Sequence, residues 1–270
     1  MSMSYYTRFN LETDPFQKRS HFPIYESLDF KEVHYRLDNL LIRNGFGLVM
    51  GAPGTGKTTA VRTCTNTLNK QSHKIVYLTL STVSVADFFR QLTFELGNEP
   101  KYRKCDNFNE IRNAIRNYVI EQRKKVVIII DEAHQLRSQT LSDLKMLFNF
   151  DMDSNNMVTV ILIGHQSIVQ MLTTISNEAM RQRISMNYTF GPLNSEACKE
   201  YIKKKLAVAG CHLELFTPKA LDSIHSYSNG TPRIIDSICS AALQIANAQK
   251  VDTINSDIIN TAFNEVSISL

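Results

Sequence analysis

The run Gly51-Ala52-Pro53-Gly54-Thr55-Gly56-Lys57-Thr58 decides how the rest of this chain is read. It fits G-x-x-x-x-G-K-[ST], the loop whose backbone cradles phosphates. Phe46-Gly47-Leu48-Val49-Met50 before it is apolar enough for a buried strand, and Thr58-Thr59-Ala60-Val61-Arg62-Thr63-Cys64 after it can open a helix. Gly51, Gly54 and Gly56 let the backbone wrap a phosphate so that successive N–H groups point inward. The positive end of the helix adds attraction at the same spot. The nucleotide-contacting set is therefore Gly51, Ala52, Pro53, Gly54, Thr55, Gly56, Lys57, Thr58 and Thr59. Lys57 reaches the β- and γ-phosphates, and the Thr58 hydroxyl binds Mg²⁺.

Binding becomes hydrolysis once an acidic pair joins the loop. Asp131-Glu132 closes the apolar run Val126–Ile130, and ligands of open α/β sheets sit beyond the carboxyl ends of strands. Asp131 can hold Mg²⁺ opposite Thr58, while Glu132 is placed to polarise the attacking water. Asp131-Glu132-Ala133-His134 also spells the DEAH of a helicase class, but the chain is too short for two helicase core domains. After the strand Val158–Ile163 comes Gly164-His165-Gln166-Ser167, where His165, or else Gln166, can contact the γ-phosphate; the bland alternative is a cap for the next helix, a role for which Ser167 competes. Arg181 and Arg183, just before Ile184–Phe190, read as arginine fingers for a neighbouring subunit's γ-phosphate or as ordinary surface charges. Arg233 follows Gly230-Thr231-Pro232 at a helix start and can swing over the nucleotide.

Composition sets outer bounds. The chain has 270 residues, 43% hydrophobic and 21% charged, with a net charge of +4. These values fit an ordinary globular protein, and the mild basicity permits a nucleic-acid partner without demanding one. No apolar run reaches the roughly 18 residues of a membrane span, and Met1–Arg8 lacks the apolar core of a secretory signal. Five scattered cysteines (Cys64, Cys105, Cys198, Cys211, Cys239) form no C-x-x-C pair and read as reduced thiols. The expectation is a cytoplasmic protein that does not use a membrane.

Strand and helix signals alternate from the phosphate loop to Phe190. Strands are expected at Phe46–Met50, Ile75–Leu80, Val126–Ile130, Val158–Ile163 and Ile184–Phe190, and helices at Phe30–Arg43, Val85–Leu96, Phe108–Arg123 and Gln139–Phe150. The fold class is α/β, a P-loop NTPase with a central parallel sheet flanked by helices. Beyond Gly191-Pro192 only helical patterns remain, at Ser195–Ala209, Pro218–Ser226, Pro232–Ala248 and Ser256–Ser267, which describe a small C-terminal all-helical lid. Domains are thus expected at 1–45 (an aromatic-rich strap with turns at Asp14-Pro15 and Phe22-Pro23, then a helix), 46–190 and 191–270. By analogy, the strap near Tyr25–Leu28 covers the adenine base.

Taken as a set, the phosphate loop, the Asp-Glu strand, the polar strand tip, Arg181-Gln182-Arg183 and Gly230-Thr231-Pro232-Arg233 resemble the AAA+ ATPases. Tyr6–Leu11 with Pro15-Phe16, Gly45–Leu48, Leu162-Ile163-Gly164, Arg181–Ile184 and Gly191-Pro192-Leu193 are similar to the ExeA-type branch. That branch includes a type II secretion ATPase and the transposition ATPases of the TnsC, TniB and IstB kind, which resemble MuB in role. The stop at Leu270, where secretion members continue into a membrane span, favours the transposition side. The resemblance implies ATP and Mg²⁺ at Lys57, Thr58, Asp131 and Glu132, with Arg233 as lid sensor. It also implies assembly into rings or filaments on duplex DNA and delivery of a transposase to its target, with a target-selection adaptor as a further partner. Alternatives are a secretion or envelope-assembly ATPase and a replication-initiation or helicase-loading ATPase. For DNA, charge points to Lys101, Arg103 and Lys104 in a polar stretch before a helix, where phosphate contacts would be sequence-independent.

Overall fold

A computed structural model describes residues 5–17, 23–79, 84–150 and 156–267. Chain order begins with the single turn α1 (Tyr5–Arg8), then α2 (Leu28–Arg43), β1 (Gly45–Gly51), α3 (Lys57–Asn66) and β2 (His73–Leu78). It continues with α4 (Val85–Glu95), α5 (Lys104–Arg116), β3 (Lys125–Ile130), α6 (Ser138–Leu147) and β4 (Val158–Gly164). The short helices α7 (Ile168–Leu172) and α8 (Glu178–Arg183) lead into β5 (Ile184–Phe190). Four helices close the series: α9 (Ser195–Val208), α10 (Pro218–Ser228), α11 (Pro232–Gln249) and α12 (Ser256–Val266). Phe22, half of the expected turn at Phe22-Pro23, and Leu80, the expected end of the second strand, lie outside the described residues.

Among the described residues the strands form one sheet in the order β2-β3-β4-β1-β5, and every pairing is parallel. The expected α/β class is therefore what the chain adopts, with a helical C-terminal part. A sheet covered on both faces needs strands that are apolar on both faces. β3 meets this demand, since Val126 to Ile130 are all buried. Even-numbered strand residues such as Leu48, Val76, Ile128, Val160 and Leu162 share one core with Phe88, Phe89 and Leu92 of α4, Ile111 and Ile115 of α5, and Leu141, Leu144 and Leu147 of α6. Odd-numbered residues turn to the opposite face, where α2 packs on β1, β5 and α3. Gly47 makes that packing possible, because a Cβ there would stand 2.5 Å from Leu40 Cδ2.

Contacts divide the chain into two compact units, 28–190 and the pair 1–27 with 191–270. The first 45 residues, expected to act together, thus part at Leu28. The reason is where their apolar side chains go. Phe9, Leu11 and Phe16 enter the core built by α9–α12, whereas α2 packs on the sheet. Within the helical unit, Asp236 accepts hydrogen bonds from the Tyr201 hydroxyl at 2.8 Å and from Lys205 Nζ at 2.7 Å. Burial raises the Asp236 carboxyl above its ordinary range, and Lys205 pulls the other way. No helix among the described residues is long and apolar enough to cross a membrane. The five cysteines are free.

Candidate nucleotide site

Parallel register brings the site's parts to one sheet edge. Met50 of β1 lies opposite Gly164 of β4, and Leu162 of β4 lies opposite Ile130 of β3. The glycine-rich loop, Asp131 and His165 therefore all leave the carboxyl ends of neighbouring strands. Gly54 and Gly56 have φ of 82° and 106°, values that L side chains rarely adopt. Gly56 is also the residue before α3, so the loop turns straight into a helix N-terminus. Thr55 is buried and its hydroxyl donates to the Ala52 carbonyl at 2.9 Å, fixing the loop's inner curve. Lys57 Nζ donates to the carbonyls of Gly51 (2.9 Å) and Ala52 (2.7 Å), so its ammonium lies folded over the loop.

The Thr58 hydroxyl donates to Asp131 Oδ2 at 2.9 Å, joining α3 to the end of β3. An alcohol and a carboxylate are hard oxygen donors of the kind Mg²⁺ takes, so this pair fits that cation. Asp131 is only 7% exposed, yet its carboxylate is well satisfied: Oδ2 also accepts from the Tyr77 hydroxyl at 2.7 Å, and Oδ1 accepts from the Glu132 N–H at 2.9 Å. Glu132 has φ 52° and ψ 34°, a left-handed conformation, and its side chain is 56% exposed. Its Oε2 lies 3.5 Å from His134 Nδ1. That same nitrogen accepts the His165 N–H at 3.2 Å. The His165 ring in turn accepts the Ser167 N–H on Nδ1 at 3.2 Å, so His165 caps the start of α7, and Ser167 makes no side-chain cap.

Residues 42–172 match the family described as the AAA domain. The chain carries an AAA ATPase domain. It is 33% identical to general secretion pathway protein A of Aeromonas hydrophila over 226 residues, 83% of this chain and 41% of that protein. The chain thus spans less than two thirds of the length of the curated relatives it matches. Among solved structures it resembles Cdc6p from Pyrobaculum aerophilum (18% identity, TM-score 0.73, covering 96% of this chain and 73% of that one). It also resembles the Drosophila ORC bound to DNA (18% identity, TM-score 0.68, covering 94% and 65%). At these identities the likeness is one of fold.

Arg181 and Arg183 have different surroundings within the unit 28–190. Arg183 donates from Nη1 to the Lys145 carbonyl at 2.8 Å, and burial lowers the pKa of its guanidinium below the ordinary arginine value. Arg181 is half exposed and forms a 3.8 Å ion pair with Glu178 one helical turn away. Arg233 begins the second residue of α11 in the helical unit. Tyr25 also belongs to that unit, where its hydroxyl donates to Glu200 at 2.8 Å and its ring meets Tyr201 edge-on.

The basic stretch is less loop-like than its sequence suggests. Lys104 opens α5 and donates to Asp143, a carboxylate only 1% exposed, so its charge is already engaged within the AAA domain. Asn107, itself buried, accepts the Lys101 N–H and donates to the carbonyls of Lys101 and Arg103. The backbone of 101–103 is pinned while Tyr102 stays 89% exposed. Tyr77 and His134 are site residues that sequence reading passed over. Tyr77 is the single hydroxyl in the apolar run Ile75-Val76-Tyr77-Leu78, a signal visible without coordinates.

Proposed function

We propose that this chain is an ATP-driven assembly switch of the kind represented by general secretion pathway protein A, acting on a protein partner as a homo-oligomer. The observation that carries this reading is 33% identity sustained over 83% of the chain. It favours the secretion or envelope-assembly alternative over transposition, whose support is motif resemblance. In the proposed cycle the backbone of Gly51–Thr58 and the Lys57 ammonium bind the phosphates, and Thr58 and Asp131 hold Mg²⁺. Mg²⁺ bound there neutralises charge that develops on the transferred phosphoryl group. Glu132 takes the proton of the attacking water, and its exposed carboxylate suits a group that must meet solvent. Arg181, free of backbone contacts that hold Arg183, supplies the finger to a neighbouring copy. Arg233 reads the nucleotide from the helical unit, and Gln166 is the better γ-phosphate sensor because His165 is engaged as a cap.

A second reading keeps one observation. Tyr102, 89% exposed between Lys101 and Arg103 on a pinned backbone, has the aromatic-plus-basic character of a nucleic-acid contact. Under that reading the oligomer forms on duplex DNA and directs a transposase or a replication partner. Sedimentation and electron microscopy with ATP, with and without duplex DNA in a salt series, separate the two. Self-assembly with ATP alone, indifferent to DNA, is the expected outcome. Assembly that requires DNA and fades with rising salt would overturn the protein-partner reading.

A further inference from the structure

Asp131 Oδ2 receives two hydroxyls, and they come from opposite neighbours. Thr58 stands at the start of α3, and Tyr77 stands on β2, whose Tyr77 pairs in register with Ile129 of β3. We propose that Tyr77 is the positioning residue of the metal-binding carboxylate, a role that rests on Asp131 and Thr58 holding Mg²⁺.

A carboxylate has about four acceptor positions, and three are filled here: Oδ2 by the Thr58 and Tyr77 hydroxyls, Oδ1 by the Glu132 N–H. The Thr58 oxygen cannot remain wholly committed to Asp131 if it also ligates a cation. Tyr77 and the Glu132 N–H are then the donors that keep the carboxylate plane from turning about its broad, two-fold side-chain torsion. At 2.7 Å the Tyr77 bond is a short, charge-assisted one. Free lone-pair capacity is left on Oδ1, beside the backbone of Glu132. One hydroxyl thus sets both the direction in which Asp131 offers its charge and, through the Glu132 N–H, the seat of the candidate base.

The test is Tyr77→Phe, which removes one oxygen from a side chain that is 43% exposed. Binding of a fluorescent ATP analogue is titrated with Mg²⁺, and separately measured in EDTA. Partners of this kind typically affect metal affinity by 10–100-fold, so the half-saturating Mg²⁺ concentration is expected to rise about tenfold. Affinity in EDTA and the melting temperature without nucleotide are expected to stay at wild type. A Tyr77→Phe protein with the wild-type Mg²⁺ midpoint overturns the proposal, as does one that loses metal-free affinity or melting temperature to a comparable degree, since packing would then explain it. Asp131→Asn distinguishes the two levels of inference. If it shifts the Mg²⁺ midpoint and Tyr77→Phe does not, only the role of Tyr77 falls; if neither shifts it, the metal assignment falls.

Discussion

Glu132 holds a backbone conformation that costs a non-glycine residue about 1–2 kcal/mol, and it does so beside a buried carboxylate that accepts its N–H. Strain retained at one residue is an expected mark of a functional position. Replacing Glu132 by Gln keeps the backbone and the metal pair but removes the base. Steady-state phosphate release should fall about 10²–10⁴-fold while nucleotide affinity, read by fluorescence, is retained. Lys57→Ala should instead weaken binding itself, and a variant that hydrolyses slowly but binds normally would contradict the role of its ammonium. Away from the site, Lys104→Ala would leave Asp143 with Gln139 as its remaining side-chain donor, at 3.0 Å. A buried carboxylate that loses a partner costs about 1–3 kcal/mol, which urea denaturation would resolve.

Gly230 is the turn on which α10 gives way to α11. Its φ is +69°, and a Cβ there would stand 1.9 Å from the Leu193 carbonyl oxygen, the atom group that lines the start of the helical unit. Because that oxygen belongs to the backbone, it cannot swing aside. Gly230→Ala should destabilise by more than the roughly 1–2 kcal/mol of the left-handed conformation alone, and a denaturation midpoint unchanged from wild type would refute that. The elements themselves were unequally legible. β1, β3 and β4 stood out because a covered parallel sheet writes continuous apolar runs into the sequence. α5 begins at Lys104 rather than near Phe108, because its first turn (Lys104, Cys105, Asp106, Asn107) is polar and is organised by the buried Asn107 amide. α7 and α8 are too short to establish a helical period, so Arg181 and Arg183 read as residues before a strand. The phosphate loop and the Asp131-Glu132 pair were legible as patterns, whereas the Tyr77 and His134 contacts arise from strand register, which one sequence does not print.

At the scale of the whole chain the two units carry separate cores and share a chemical habit, the burial of thiols. Burial pushes the Cys198 thiol in the helical unit up to about 12, pushes Cys239 there well above its ordinary value, and raises Cys64 in the AAA domain to about 12. A folded pKa above the unfolded one gives stability that is complete below the unfolded value, 9.0 for a thiol, and is lost as pH climbs toward the folded one. Each such thiol removes up to about 1.4 kcal/mol per pH unit in that window. Denaturation midpoints should therefore hold steady to about pH 8 and drop by pH 10.5, and the paired changes Cys198→Ala and Cys239→Ala should flatten the drop. Equal slopes with and without these thiols would assign the alkaline loss elsewhere. The division of the chain has a further consequence, one of timing. Phe9, Leu11 and Phe16 leave the ribosome before 28–190, yet the helices whose core they complete are synthesised after it. Domains generally fold as units during synthesis, and closing so long a loop is entropically costly before its contacts form. The early aromatic segment must wait for its partners, and compaction of the intervening unit 28–190 shortens the gap it has to bridge.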